Sequence, residues 1–414
     1  MQSSSTQLLS IVKRAHQASV QLAQTSSLER TQGVTVLATA MESSLDEILE
    51  ANTLDLETSR EMAIPEPIIN WLKLTPERLE TAINILQQLA KSPNPTCRLI
   101  SAAYQLESSQ TYYQLMPLGT IALVYEAFPE LAAIAAGMCL KTGNSLILRG
   151  CSAASNTNQT IANILYQALD STELPRDGIL AISPDSGTSI QELIVQEQYI
   201  DLVIPYGRPR LVQQIKEQAT VTVLPTAMGN CYCYWSNSGE LELIRKMIID
   251  SHDSEPDAVN AIEKVLIYKN KQSLSLQSLF NSLQTKGFEL RGDIDLITEF
   301  PEYLTPIKTA EWSSSYLSKT VAFRYVDDVS AAITWMNRYS SGHANSIVTE
   351  SYQESRQFIQ DATSALVYIN TSPKFSRNPD ESNAVFLGMS NQKGLRQGLI
   401  SLETLTKVKQ VIQG

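Results

Sequence analysis

The sequence is poor in the residues that build metal centres and disulfide frameworks. Its 414 residues include only three histidines and five scattered cysteines. An odd, scattered set of cysteines does not describe a disulfide framework and is typical of a reducing compartment. Cys231 and Cys233 lie close together, but no second group of cysteines or histidines accompanies them. We therefore predict no metal site, and two cysteines in a buried strand.

Long apolar runs and an excess of basic charge are also missing. The net charge of −11 argues against nucleic acid as a partner, because phosphates need a basic surface. No run reaches about 18 apolar residues, so no membrane span is predicted. The first residues have no basic start followed by an apolar core, so no signal peptide is predicted. Together these absences predict a cytoplasmic protein. The length of 414 residues predicts two or three domains.

The spacing of apolar residues divides the chain into regions. Between residues 6 and 92, apolar positions recur every three or four residues, which predicts helices. Residues 98–116 partly alternate around a polar turn and predict a long hairpin. From residue 120, apolar strands alternate with helices, which predicts a parallel, Rossmann-like sheet although no GxGxxG motif is present. A strand is expected at 221–226, and a last one in the tail.

Several segments resemble the gamma-glutamyl phosphate reductase family of the aldehyde dehydrogenase superfamily. The segments that carry the resemblance are PLGTIALVYEA (117–127), CLKTGNSLILRG (139–150), IDLVIP (200–205), MGNCYCY (228–234), NAIEKVLI (260–267), NRYSSGHANSIVTE (337–350) and ALVYINTSPKF (365–375). They cover nearly the whole chain in order. The resemblance implies an α/β fold of the aldehyde dehydrogenase type, with a nucleotide-binding domain, a catalytic domain and an oligomerisation hairpin.

The resemblance also implies domain limits. Residues 1–230 would form the N-terminal helices and the Rossmann-like nucleotide-binding domain, including the hairpin at 98–116. Residues 231–375 would form the catalytic-type α/β domain. Residues 376–414 would return to the oligomerisation surface.

The family's chemistry needs a residue that this chain lacks. The resemblance implies NADPH-dependent reduction of gamma-glutamyl phosphate in proline biosynthesis, through a thioester on a cysteine within a segment like RPSVCNALE. This chain has EPDAVNAIE at 255–263, so Val259 occupies the cysteine position. An aliphatic side chain has no lone pair to attack an acyl phosphate. No confident catalytic residue therefore remains.

Further departures concern the substrate and the cofactor. The family's YEARPNV is YEAFPEL here, which puts Phe128 in place of a cation and Glu130 in place of the oxyanion donor. A glycine-rich segment becomes RNPDESNAVFLG at 377–388, with Phe386 where the family has a ribose-binding glutamate. We expect NADP to bind weakly, if at all.

Other family positions persist. The resemblance implies that cofactor contacts come from Lys141, Gly143, Asn144 and Arg149. Lys141 has a simpler interpretation as a solvated lysine at a helix end. His343 is either a substrate-side residue or a structural turn residue. Cys231 is either a substitute nucleophile or a small buried core cysteine.

Two functions follow from these observations. The first is a family member that has lost reductase activity and acts as a binding, scaffold or regulatory subunit. The alternative is an active NADPH-dependent glutamate-5-semialdehyde dehydrogenase with a rearranged site. A different enzyme on the same scaffold is a third alternative.

The hairpin predicts self-association. It carries six large apolar residues, namely Ile100, Tyr104, Leu106, Tyr112, Leu115 and Met116. An apolar tail follows at Leu402, Leu405, Val408 and Val411. We predict a homo-oligomer, with an active homologue or glutamate 5-kinase as alternative partners.

Overall fold

The chain divides into two compact units in a computed structural model. The structure describes residues 2–102, 104–105, 109–253, 258–377, 384–391 and 398–414. The first unit comprises Met1–Pro225, Arg377–Leu387 and Leu399–Gly414, and the second comprises Thr226–Ser376 and Gly388–Gly398. The predicted C-terminal segment 376–414 is thus divided between the two units. The reason is that Ser390 bridges to Thr226, whereas the last strand pairs with the hairpin of the first unit.

Five amphipathic helices open the first unit, as the apolar spacing predicts. They are α1 (Gln2–Leu22), α2 (Ser27–Ser43), α3 (Leu45–Glu61), α4 (Glu66–Leu72) and α5 (Pro76–Lys91). Helix α2 begins with a capping box in which Ser26 and Glu29 satisfy each other's backbone N–H groups. Helix α5 begins at a Thr75 cap followed by Pro76, and buries a stripe that includes Leu79 and Leu86.

A hairpin and a parallel sheet follow the helices. The elements in chain order are β1 (Leu99–Ser101), β2 (Gln110–Pro117), β3 (Thr120–Tyr125), α6 (Leu131–Thr142), β4 (Ser145–Arg149), α7 (Ser155–Asp170), β5 (Ile179–Ala181), α8 (Ile190–Leu193), β6 (Leu202–Tyr206) and α9 (Pro209–Gln218). Strands β1 and β2 pair antiparallel, which confirms the hairpin; part of its predicted turn, and Leu106, lie outside the described residues. The predicted strand at 221–226 is wrong, because the segment forms only two isolated bridges, from Val223 to Val203 and from Thr226 to Ser390.

The parallel sheet of the first unit has the order β5-β4-β3-β6. The chain runs outward from β3 to β4 and β5, and then crosses to the other side of β3 to form β6. This order creates a switch point between the carboxyl ends of β3 and β6, where α/β proteins commonly bind ligands. Strands β3, β4 and β6 are buried throughout, as their continuous apolar sequences predict.

The second unit is built on a larger sheet. Its elements are β7 (Cys231–Trp235), α10 (Leu241–Ser251), β8 (Ile262–Tyr268), α11 (Ser273–Thr285), β9 (Glu289–Gly292), α12 (Ile294–Glu299), β10 (Thr305–Pro306), β11 (Thr320–Val326), α13 (Val329–Tyr339), β12 (Ala344–Val348), α14 (Tyr352–Asp361), β13 (Leu366–Ile369), β14 (Met389–Ser390) and β15 (Gly398–Leu399). Seven strands form a parallel sheet in the order β10-β9-β11-β8-β7-β12-β13. Separate apolar clusters cover its two faces; Cys233 belongs to one and Tyr232 to the other.

The tail forms the strand that its alternation predicts. Strand β16 (Thr406–Gln413) pairs antiparallel with β2 along its whole length and completes the sheet β1-β2-β16. Among the described residues, no helix combines the length and the apolar character that a membrane span requires.

Candidate functional site

Val259 lies in the second unit, in the turn that leads into β8. Its side chain is fully buried. Its carbonyl oxygen accepts hydrogen bonds from the backbone N–H of Gly229 and from Nε2 of His343, each at 2.9 Å. Residues 255–257 of the predicted segment lie outside the described residues. Residue 259 therefore presents a buried aliphatic side chain where the family's nucleophile is expected.

His343 is a neutral, buried positioning residue. Because a carbonyl oxygen only accepts, Nε2 carries the proton that is donated to Val259. Nδ1 is then the acceptor for the hydroxyl of Ser341, 2.8 Å away. Burial lowers the pKa of His343 to about 4, and so favours this neutral form. The histidine predicted for the substrate side thus holds the turn at Val259.

Cys231 lies beside this histidine but receives no activation from it. Its Sγ atom is 3.3 Å from Nε2 of His343. That nitrogen already carries a proton, so it has no lone pair to accept the proton of the thiol. Burial, and then the charge of Glu263, raise the pKa of Cys231 well above the usual thiol value. These surroundings fit the second alternative, a small buried core cysteine.

Glu263 organises the backbone around this site. Its fully buried carboxylate accepts three backbone N–H bonds, from Asn230 at 2.8 Å, Tyr316 at 2.9 Å and Leu317 at 2.8 Å. Lys264 lies 3.6 Å from the same carboxylate, and its ammonium lies 3.6 Å from the centroid of the Tyr316 ring. Burial lowers the pKa of Lys264 to about 8. One carboxylate at the start of β8 therefore holds two loops together.

Two of the predicted departures, Phe128 and Glu130, lie together in the first unit. Phe128 is fully buried with a φ of 60°, and its ring packs against Trp71 and Tyr206. Glu130 is 4% exposed and forms an ion pair with Arg78. The guanidinium of Arg78 also lies 5.9 Å from the ring centroid of Phe128. A cation is therefore present near position 128, although it comes from α5.

Lys141 is not the solvated lysine of the simpler interpretation. It is 2% exposed, and its ammonium donates to Thr31 Oγ1 at 2.9 Å and to the carbonyl of Ala90 at 3.0 Å. Burial, and then the nearby charge of Arg30, lower its pKa. These contacts tie α6 to α2 and α5. A cofactor contact by Lys141 stays a prediction, and it would need this ammonium to leave its internal partners.

Gly143 and Asn144 connect α6 to its surroundings. Gly143 ends the helix with a φ of 81°, and a Cβ atom there would lie 2.1 Å from the guanidinium of Arg30. The Asn144 side chain accepts from the N–H of Gly119 at 2.9 Å and donates to the carbonyl of Leu405 at 2.9 Å. Both residues therefore have contacts that account for them structurally.

Arg149 lies at the carboxyl end of β4, the edge where a nucleotide is expected. Its Nη1 donates to the carbonyl of Gly150 at 2.7 Å, while Nε has no partner among the described residues. Burial lowers the pKa of its guanidinium. A cavity of about 20 Å³ at this edge is lined by Gly150 and by polar side chains that include Ser155, Asn158 and Ser183. Arg149 does not itself line this cavity, so a phosphate contact by its guanidinium stays a prediction.

The helix ends that could bind a pyrophosphate are already occupied. At the start of α7, Asp55 accepts from the backbone N–H groups of Asn156 at 3.1 Å and Thr157 at 2.7 Å. At the start of α9, Glu126 accepts from the N–H of Arg208 at 3.0 Å and pairs with its guanidinium. Pro209 has no N–H to offer. Internal carboxylates thus take positions that suit a ligand anion.

Two further predictions concern the ribose-binding position and metal binding. Phe386 is described and is partly buried, but most of the segment 377–388 around it, residues 378–383, lies outside the described residues. The described part of the chain contains no group of three histidine, cysteine or acidic side chains that could hold a metal ion.

Comparison with known proteins identifies the family. The profile of the aldehyde dehydrogenase family matches residues 1–229. The gamma-glutamyl phosphate reductase 2 of Synechocystis sp. is 52% identical over 386 residues, which are 93% of this chain and 92% of that protein. The chain belongs to the gamma-glutamyl phosphate reductase family. This family serves proline biosynthesis, and the resemblance and fold class that the sequence predicts are confirmed.

Two further comparisons cover the whole chain. The gamma-glutamyl phosphate reductase of Gloeobacter violaceus is 34% identical over all of this chain and 99% of that protein. The crystal structure of the gamma-glutamyl phosphate reductase of Thermotoga maritima has a TM-score of 0.89 at 29% identity, and covers 98% of both chains. A probable aldehyde dehydrogenase of Listeria monocytogenes shares the fold alone, at 13% identity and a TM-score of 0.72.

The sequence analysis did not predict which side chains of the protein itself bind the polar groups of these sites. Arg78, Asp55 and Glu263 act on partners that lie elsewhere in the chain or on backbone groups. A helical position such as Arg78 looks like an ordinary surface arginine in the sequence. Glu126 and Glu263 gave a signal, because they belong to the segments YEA and NAIEKVLI that carry the resemblance.

The buried neutral His343 predicts a loss of stability in acid. In the unfolded chain the histidine takes up a proton near pH 6.5, whereas in the folded protein it does so only near pH 4. Its contribution is therefore complete above about pH 6.5 and is lost as the pH falls towards 4, by about 3 kcal/mol. We expect urea denaturation between pH 7 and 4 to show a shallower loss in His343→Gln than in the wild type.

His252 provides the internal control for this experiment. Burial lowers its pKa to about 4 as well, so its contribution is the same in the wild type and in His343→Gln and cancels in the difference. Equal pH slopes for the two proteins would contradict a buried neutral His343.

Proposed function

We propose that the chain catalyses the reaction of its family, the NADPH-dependent reduction of gamma-glutamyl phosphate to glutamate semialdehyde. The similarity to gamma-glutamyl phosphate reductases carries this proposal, because it spans 93% to 100% of the chain and reaches 52% identity. It favours the active alternative over the predicted loss of activity.

The site restricts the route of the reaction. Val259 cannot form a thioester, and Cys231 has no base to take its proton. NADPH, held through Arg149, would supply a hydride. Because this chain provides no nucleophile, the hydride acceptor would be the acyl phosphate carbonyl itself, and phosphate would leave with the electron pair of the broken C–O bond. Without a covalent intermediate, the difficult step is not divided into two easier ones, so a slow reaction is expected.

The residues of the first unit support a weak nucleotide site. Arg149, with its unpartnered Nε, would hold the 2′-phosphate, and Ser155, Asn158 and Ser183 would hold the ribose. The cavity of about 20 Å³ has room for about one water molecule, so its lining must move to admit a ribose. The carboxylates at α7 and α9 oppose the pyrophosphate.

A second candidate function is a binding subunit without turnover. The observation that favours it is the buried Val259 side chain at the nucleophile position. The two candidates differ in a single measurable property, which is steady-state turnover.

The activity test compares two valine-to-cysteine variants. We expect repurified wild-type protein to oxidise glutamate semialdehyde slowly with NADP and phosphate, and Cys231→Ser to have the same rate. Val259→Cys should raise the rate about tenfold or more, but not to full family rates, because the side chains of Phe128 and Glu130 give no donor to the developing oxyanion. Val265→Cys, a buried valine of β8, is the matched control and should change nothing.

The outcomes separate the two candidates. No turnover in the wild type, with normal folding, would reject the reductase and leave the binding subunit. A rate lost in Cys231→Ser would instead assign the reaction to that thiol.

The cofactor test concerns Arg149. We expect calorimetry to give an NADPH affinity weaker than about 100 µM, and Arg149→Gln to weaken it about tenfold more, because a charged hydrogen bond to phosphate is lost. NADH, which has no 2′-phosphate, should bind both proteins alike. Arg176→Gln removes an exposed arginine of the same unit as a control. Micromolar affinity independent of Arg149 would contradict the assignment.

We further propose that the chain self-associates through the sheet β1-β2-β16. Register places Ile100, Val408 and Ile412 on one face, opposite Tyr113, Leu115 and Thr111 respectively. In the single chain, these three side chains are 37%, 54% and 55% exposed. An apolar strand face of this kind is costly to leave in water. A homo-oligomer fits it; the homologue and the kinase remain alternative partners.

Light scattering at micromolar concentration tests this proposal. We expect a mass above that of one chain for the wild type, and a single-chain mass for the double variant Val408→Lys, Ile412→Lys, because buried lysines would oppose the contact. Leu274→Lys changes an equally apolar, exposed residue of the second unit and should leave the mass unaltered. A wild-type monomer would reject the proposal.

A further inference from the structure

The ion pair between Arg78 and Glu130 is more than a surface contact. Nη2 of Arg78 donates to Oε1 of Glu130, and the two side chains are only 11% and 5% exposed. Arg78 lies in the first turn of α5, and Glu130 immediately precedes α6. A buried pair of this kind is favourable only if its remaining polar atoms are also satisfied.

Those remaining atoms are not satisfied from within the chain. Nε of Arg78 and Oε2 of Glu130 are buried, and neither has a hydrogen-bond partner among the described residues. A buried unpartnered donor or acceptor costs about 1 to 3 kcal/mol, and more when it is charged. The pair therefore has one unpartnered cationic donor and one unpartnered anionic acceptor. Both atoms are enclosed, so a ligand reaches them only when the surrounding side chains move.

The surrounding structure holds the pair in place. Nη1 of Arg78 donates to the carbonyl of Lys73 and lies 3.4 Å from the carbonyls of Asn70 and Trp71, at the end of α4. The N–H of Phe128 donates to the same Trp71 carbonyl at 3.2 Å. Phe128 has a φ of 60°, a conformation that is costly for a bulky residue and is typical of functional sites.

We propose that Arg78 and Glu130 bind the head group of an α-amino acid. The ligand carboxylate accepts from Nε of Arg78, and the ligand ammonium donates to Oε2 of Glu130. A zwitterionic head group satisfies both atoms, whereas a phosphate or a dicarboxylate would be repelled by Glu130. The proposal rests on the proposed function, whose substrate is a glutamate derivative, and it assigns the recognition of that substrate's amino-acid end.

Binding of three small probes tests this site without turnover. L-glutamate has both charged groups, glutarate lacks the ammonium, and 4-aminobutyrate lacks the α-carboxylate. The fluorescence of Trp71 is the readout, since its ring centroid lies 5.2 Å from that of Phe128. The binding signal is the part of the fluorescence change on ligand addition that is missing in the Trp71→Phe variant. We expect wild-type protein to bind L-glutamate at least tenfold more tightly than either analogue.

The variants identify which atom recognises which group. Glu130→Gln should weaken the binding of L-glutamate about tenfold, while glutarate binds as tightly as to the wild type or more tightly. The preference for a ligand with an ammonium group then disappears. Arg78→Gln should weaken the binding of L-glutamate and glutarate, but not that of 4-aminobutyrate. Arg98→Gln and Glu403→Gln, which remove an exposed ion pair of the same unit, should bind like the wild type. If Glu130→Gln does not fold, as judged by its melting temperature, Glu130→Asp takes its place and should give a smaller loss.

Two results would overturn the inference. One is the absence of L-glutamate binding to folded wild-type protein, in which case ordered water satisfies the two atoms. The other is an unchanged preference for L-glutamate over glutarate in Glu130→Gln. L-glutamate binding without any turnover would retain this inference and reject the reductase. If the protein turns over and Glu130→Gln leaves the KM for glutamate semialdehyde unaltered, the reductase is retained and this inference is rejected.

Discussion

The carboxylate of Glu263 fixes the geometry of the second unit at its functional end. It is buried at the start of β8, and it accepts backbone N–H groups from the loop before β7 and from the segment before β11. A carboxylate in this position replaces hydrogen bonds that neither loop can make by itself. The turn at Val259 and the contact with His343 depend on the resulting arrangement, since Gly229 belongs to the same loop.

Carboxylates also bind groups of the chain itself in the first unit, with different consequences. Asp55 and Glu126 satisfy the starts of α7 and α9, and Glu130 engages Arg78. Each carboxylate stands where an anionic ligand would otherwise find a donor. The chain therefore stabilises its own fold with groups that lower its affinity for phosphates. Glu130 differs from the other two because one of its oxygens is left without a partner among the described residues.

Periodicity predicted most of the fold. The helices of residues 6–92, the hairpin and the tail strand follow from apolar spacing, because burial of one face decides each of them. The strand prediction for 221–226 was wrong, because an apolar alternation cannot tell a strand from an extended loop beside β6. The site was only partly predictable. Val259, Phe128 and Glu130 were found through the resemblance, whereas Arg78 reaches Glu130 across 52 positions of the chain. Burial of Lys141 likewise depends on tertiary packing that spacing does not reveal.

The pairing of β16 with β2 has a consequence for how the protein is made. During synthesis, β2 leaves the ribosome almost three hundred residues before its partner strand. At roughly 5 to 20 residues per second, one edge of the hairpin stays open for about 15 to 60 seconds. An unpaired apolar edge is a template for pairing with other chains. Until β16 is made, the open edge of β2 is therefore exposed to pairing with other nascent chains.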